Sequence, residues 1–438
     1  MSYVLLKQKR NFDSYEIALE VAKSNSKNAR ALALIGFSFL NIGDFKQANI
    51  FFLNANTINN REALAWEGAG LIDFYENKIS SSLEKLRQAV YLENKEPDFF
   101  YTLAQVAARN ESYLEAAANY RIFLQVAPKN DISRRDKIRG LIDFLEYLGN
   151  RASLYDLGGT DQTIVPIEIV KQRPILKVKI GKNNRVFNFV LDTGSSVTVL
   201  SESTAKEIGI KPVASGGQAS AIGGTGKFDI VYGFLNSIEI GEAKIKNVPI
   251  YIRRFHEDAE NVDGFIGLAI ISQYLTTLDY GNLTLSMVKR DDKIVKNFTE
   301  NEVLLPLRLT TSGFLSGEVK IQGLDFPVYF IVDTGASISV ISSELANSNE
   351  LSKFVTGDTM RVVGAGGVLN NVQSYLLPKI SFGNHSRESV SAIALNLNLI
   401  NENSGFSQNG ILGGNFLQNY KLTFDFKGSK IAFLPIIK

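Results

Sequence analysis

Two stretches carry residues placed for chemistry: "FNFVLDTGSSVTVLS" (187–201) and "VYFIVDTGASISVIS" (328–342). Each sets an Asp-Thr-Gly, at Asp192-Thr193-Gly194 and Asp333-Thr334-Gly335, between apolar runs that call for burial. A lone buried carboxylate is costly. Two held together cannot easily both ionise, so they share one proton and supply a base and an acid at once. Such a pair can activate water and protonate an amide without a metal or a covalent intermediate. Other chemistries lack their parts. The chain has no Cys, which excludes disulfides, thiolate nucleophiles and Cys-ligated zinc. Its two histidines, His256 and His385, stand isolated and are expected at the solvated surface. No metal-ligand spacing occurs, so neither a metal nor a cofactor is expected.

The two stretches head longer matched units. Gly223, in "SAIGGTGKF", stands 31 residues after Asp192, and Gly364, in "RVVGAGGVL", stands 31 after Asp333. These Gly clusters are not phosphate loops, because no Lys-Ser/Thr follows them. Further on, "DGFIGLAIISQYLTTLDYGNLTLSMV" (263–288) matches "NGILGGNFLQNYKLTFDFKGSKIAFL" (409–434). Each reads as two apolar residues and a Gly, a short helix, then two strands around a turn. The strand-rich half is therefore a duplication, expected over 162–290 and 302–438.

These residues resemble the retropepsin-like aspartic proteases, in the bacterial and retroelement pattern of Asp-Thr-Gly followed later by apolar-apolar-Gly. The resemblance covers both units and implies two lobes whose loops face each other across a dyad. Both lobes come from one chain here, so a homodimer is not required. The lobes are unlike those of pepsin, since neither flap candidate carries a Tyr and no Trp follows either Asp. The resemblance assigns Asp192 and Asp333 as the catalytic pair. Thr193 and Thr334 would bond across to the opposite loop, Gly194 and Gly335 would allow the tight backbone, and Ser195 would donate to its carboxylate. Phe265-Ile266 and Ile411-Leu412 would pack beneath the loops. Ile222, Gly223, Gly224, Val363, Gly364 and Ala365 fall where the family places its flaps, hairpins that close over an extended peptide. A peptide or protein substrate follows. The runner-up is a peptide-binding module of the same fold with little turnover, marked by a missing Asp; neither Asp is missing here. A glycosidase with two carboxylates is a third option that duplicated Asp-Thr-Gly units do not suggest.

The elements before residue 150 follow another grammar. Apolar residues recur at spacings of three and four, which predicts helices. A period of 34 aligns Gly36, Gly70 and Ala104; Phe52, Leu86 and Tyr120; Ala55, Ala89 and Phe123; and Ala48, Ser82 and Ala116. This resembles the tetratricopeptide repeat, with about three units over 30–131, a partial unit before them and a capping helix near 133–149. Trp66 sits at an aromatic position of the repeat and reads as packing. Residues 151–161 are expected as a linker, and "RRFHEDAEN" (253–261) as an exposed loop.

The whole is then a multidomain α + β chain: an all-α helical-repeat solenoid (1–150) followed by an all-β, two-lobed acid-protease domain. Its 438 residues require more than one core. A net charge of +2, spread evenly along the chain, gives no reason to expect nucleic acid. The repeats are expected to dock a protein partner. "MSYVLLKQKRNFD" is neither a signal peptide nor a membrane span. As written the chain is expected in the cytoplasm, or in the periplasm or outside the cell if the true start lies upstream.

Overall fold

The computed structural model describes residues 1–438 except 152, 257–260, 291–297, 384 and 437–438. Residues 257–260 of the expected loop at 253–261 thus lie outside the described residues, and Arg253 is not in a loop but ends a strand. The chain divides into two compact units: Met1–Asn150 with Gly405–Ser407, and Arg151–Ser404 with Gln408–Lys438.

The first unit is a series of paired helices. Ala29–Ile42 packs on Phe45–Ile58, Ala63–Tyr75 on Ile79–Leu92, and Pro97–Arg109 on Tyr113–Val126. Ser2–Lys7 and Asn11–Ser24 precede these pairs, and Ile132–Gly149 follows them. Local sequence sets the boundaries. The side chain of Asn28 accepts from the Ala31 amide at 3.0 Å, that of Asp44 accepts from Gln47 at 3.0 Å, and Gly43 closes its helix at φ 90°. The 34-residue period has a packing cause. A Cβ on Gly36 would sit 2.7 Å from the Phe52 ring, and one on Gly70 would sit 2.9 Å from Leu86. The small residue admits the large one of the next helix, and both columns are buried.

The second unit contains two closed barrels that match strand for strand. In lobe 1 the ring runs Arg173–Ile180, Val186–Leu191, Gly264–Ile266, Thr198–Ser201, Ala243–Arg253, Lys227–Ile240 and back. In lobe 2 it runs Leu315–Ile321, Val328–Val332, Gly410–Leu412, Ser339–Ser342, His385–Leu395, Gly367–Phe382 and back. Hairpin arms extend each barrel through Ala214–Ser220 and Val355–Gly364.

Two features differ from the expected layout. A six-stranded sheet joins the lobes, with Tyr274–Asp279 pairing antiparallel to Tyr420–Asp425. The hydroxyls of Thr277 and Thr423 meet there at 3.1 Å. Gln162–Pro166 adds to the same sheet beside Thr284–Lys289. Within the expected linker, Asp156–Gly159 forms a strand against Ala243–Arg253, because that edge offers unpaired backbone groups. Among the described residues no helix is long and apolar enough to cross a membrane.

Candidate active site

Each Asp follows a buried strand. Phe187, Phe189, Val190 and Leu191 lead to Asp192, and Val328, Phe330, Ile331 and Val332 lead to Asp333. The strands Gly264–Ile266 and Gly410–Leu412 run parallel to them, and the carbonyls of Ile266 and Leu412 accept from the amides of Asp192 and Asp333 at 2.9 and 3.0 Å. The apolar-apolar-Gly segments thus lie beneath the two loops and fix where each Asp leaves its strand.

The loops interlock. The Thr193 amide donates to Thr334 Oγ1 at 3.1 Å, and the Thr334 amide donates to Thr193 Oγ1 at 3.0 Å. Each hydroxyl then donates onward, Thr193 to the Val332 carbonyl and Thr334 to the Leu191 carbonyl, both at 2.6 Å. Both threonines are fully buried, so every bond is made away from water. The glycines admit the opposing acids: a Cβ on Gly194 would strike the Asp333 carboxylate, and one on Gly335 would strike that of Asp192. The two carboxyl groups hydrogen-bond each other.

The pair is electrostatically unequal. Asp333 Oδ1 accepts from the amides of Gly335 at 2.8 Å and Ala336 at 3.1 Å. Asp192 Oδ1 accepts from the Gly194 amide at 2.9 Å. Burial, and next the charge of Asp333, holds the Asp192 carboxyl well above the ordinary aspartate range. Burial also raises Asp333, but the hydrogen bonds from Asp192 and the backbone amides oppose it. The two carboxyls titrate as a pair, in which Asp333 receives one more backbone hydrogen bond than Asp192. Ser195 does not create this inequality. Its hydroxyl donates to the Val197 carbonyl at 2.8 Å, not to Asp192, because the loop turns that carbonyl toward it.

The flap candidates meet at their tips. The Gly366 amide donates to the Ile222 carbonyl at 2.8 Å, and Gly223 at φ 95° faces the Gly367 carbonyl closely enough to exclude a Cβ. Gly364 faces the Ile222 carbonyl in the same way, while Gly224 is exposed. Ile222 packs against the apolar cluster of lobe 2, formed by Ile331, Val340, Ile393 and Leu395 among others. Val363 points away and is exposed, and Ala365 sits half-buried in the turn. His256 is exposed, and His385 stacks on Phe382. Among the described residues no cluster of ligating side chains could hold a metal ion.

Three residues beyond the sequence expectations shape the site. Asp263 braces lobe 1 by accepting from the Asn188 amide at 2.8 Å, Thr204 at 3.0 Å and Arg185 at 2.7 Å. Its place just before the apolar-apolar-Gly was the available signal. Arg173 feels the charge of both Asp192 and Asp333 and Arg253 that of Asp192, and burial pushes the pKa of each guanidinium down. Nothing in their sequence neighbourhoods marks either one.

The family described as Aspartyl protease matches residues 176–270 and 317–416. These segments are the two barrels with their Asp-Thr-Gly loops, so it is the two lobes that are similar to that family. No curated protein matches the chain. Among solved structures, the aspartic proteinase from Irpex lacteus is similar at 15% identity with a TM-score of 0.44, covering 63% of this chain and 97% of that one.

Proposed function

We propose that the chain is an aspartic endopeptidase of retropepsin-like type, in which Asp192 and Asp333 activate water to hydrolyse a peptide bond. The observation that carries this is the interlock of Thr193 with Thr334, which holds two hydrogen-bonded carboxyls at the junction of two matched lobes. Asp333, which receives the additional backbone hydrogen bond, takes a proton from water as its oxygen attacks the amide carbonyl. Asp192 gives its proton to the carbonyl oxygen, forming a tetrahedral diol. Collapse of that diol with protonation of the nitrogen breaks the C–N bond and releases acid and amine. The meeting flap tips would hold an extended peptide over the pair and exclude water. The helical unit, with its tetratricopeptide-like pairs, would dock a protein substrate or partner and raise its effective concentration.

The test is incubation of purified protein with a diverse peptide pool at several pH values, with cleavage read by mass spectrometry. New termini at internal peptide bonds are expected, and Asp192→Asn should abolish them. A folded protein that cleaves nothing at any pH would overturn the proposal. For the helical unit, a folded chain starting at Arg151 should still cleave short peptides but lose efficiency on a protein substrate.

A further inference from the structure

The two lobes match in backbone but not in the chemistry of the faces beside the Asp pair. In lobe 1 one row of side chains crosses the barrel from Ile175 through Val190, Phe265 and Val199 to Tyr251. Side chains alternate along a strand, so Arg173 and Arg253 extend this row at its two ends. In lobe 2 the corresponding row runs from Ser316 through Ile331, Ile411 and Val340 to Ile393. There Phe314 stands in the place of Arg173 and Leu395 in the place of Arg253. Leu395 belongs to the apolar cluster against which Phe314 and the flap residue Ile222 pack. One face next to the pair is therefore uncharged and, apart from Ser316, apolar, while its counterpart carries two guanidinium groups.

Among the described residues neither guanidinium group has an ion-pair partner. Arg173 Nε is buried without a hydrogen bond. Arg253 lies over the rings of Phe228, Phe255 and Phe265 at 5.2, 4.7 and 5.7 Å, and its guanidinium donates to the Arg254 carbonyl at 3.4 Å. The rings hold the cation in place without neutralising it. Asp192 acts on Arg253 only through space, since its carboxyl bonds Asp333 and the Gly194 amide. Two fixed, unpaired cations on one wall are complementary to an anionic group supplied from outside.

We infer, resting on the peptidase function proposed above, that the substrate is an acidic peptide: an Asp or Glu side chain within about three residues of the scissile bond lies against Arg173 and Arg253, and apolar side chains lie against lobe 2. An extended peptide presents alternate side chains to opposite walls, so one acidic position and apolar neighbours can be satisfied together.

The test uses the full chain and pairs of peptides that differ only as Glu or Gln at one position. Scanning the position along the peptide should find one place where Glu raises kcat/KM by roughly tenfold to a hundredfold over Gln, the range of a charge-assisted hydrogen bond. Arg173→Gln should shrink that ratio, and so should Arg253→Met, which keeps a long stem on the rings. Binding of the same pairs in non-hydrolysable form separates this inference from the peptidase function. Retained preference for Glu without turnover would sink the peptidase and leave the acidic site standing. Equal handling of Glu and Gln at every position, or a preference unchanged in both variants, would overturn the inference.

Discussion

The amide of Thr193 donates to the hydroxyl of Thr334 while the amide of Thr334 donates to the hydroxyl of Thr193, at 3.1 and 3.0 Å. Residues 141 positions apart thus hold each other through a reciprocal pair of buried bonds. Replacing Thr193 with Val removes one hydroxyl and leaves the Val332 carbonyl and the Thr334 amide without partners. The expected cost is about 2–6 kcal/mol, at roughly 1–3 kcal/mol per orphaned group. Denaturant unfolding followed by a probe in the β unit measures it, and Thr193→Ser should recover most of the loss.

The pH profile of peptide cleavage should be bell-shaped, because the working pair carries one proton. Its alkaline limb marks loss of that proton and should lie well above the ordinary aspartate range, as burial and the neighbouring charge dictate. The acid limb marks the second protonation of the pair, which the backbone amides on Asp333 resist. The same shift governs stability. A carboxyl raised in the folded state contributes stability that is fully present below its unfolded value near 3.8 and is lost as pH rises through its folded value. Unfolding midpoints should fall for the wild type toward alkaline pH, and Asp192→Asn should flatten that fall.

At the flaps, Gly223→Ala should impair catalysis through geometry alone. The new Cβ would press on the Gly367 carbonyl at a backbone φ of 95°. The tips could then not meet as they do, and kcat/KM should drop about tenfold or more. Gly181→Ala is the control: its φ is also positive, at 58°, but nothing lies within 4 Å of the added atom. It should cost about 1 kcal/mol in stability and leave cleavage kinetics unchanged.

Much of this arrangement was legible in the sequence because close contact restricts residue type. Gly36 must be small where Phe52 enters, so the contact repeats as a column every 34 residues. Asp-Thr-Gly repeats with its flanks because each loop needs an acid, a bonding hydroxyl and a residue that admits the opposing carboxylate. What stayed hidden depends on where distant segments meet. The pairing of Tyr274–Asp279 with Tyr420–Asp425 uses backbone groups that every residue carries, so no side chain announces it. The strand Asp156–Gly159 is short and Gly-rich and reads as a turn until an edge is available to it. The Ser195 hydroxyl donates to the loop's own Val197 carbonyl, a backbone group that no side-chain pattern announces. The isolation of Arg173 is a property of its neighbours in space, which no local pattern records.

The most direct measurement of the central claim is a double-mutant cycle on kcat/KM with Asp192→Asn, Asp333→Asn and the double substitution, each checked for folding. If the two carboxyls work as one unit through a shared proton, each single change should cost about 10³-fold or more, and the double variant should be little worse than either. A single variant that retains wild-type cleavage, or two losses that multiply in the double variant, would contradict the shared-proton mechanism.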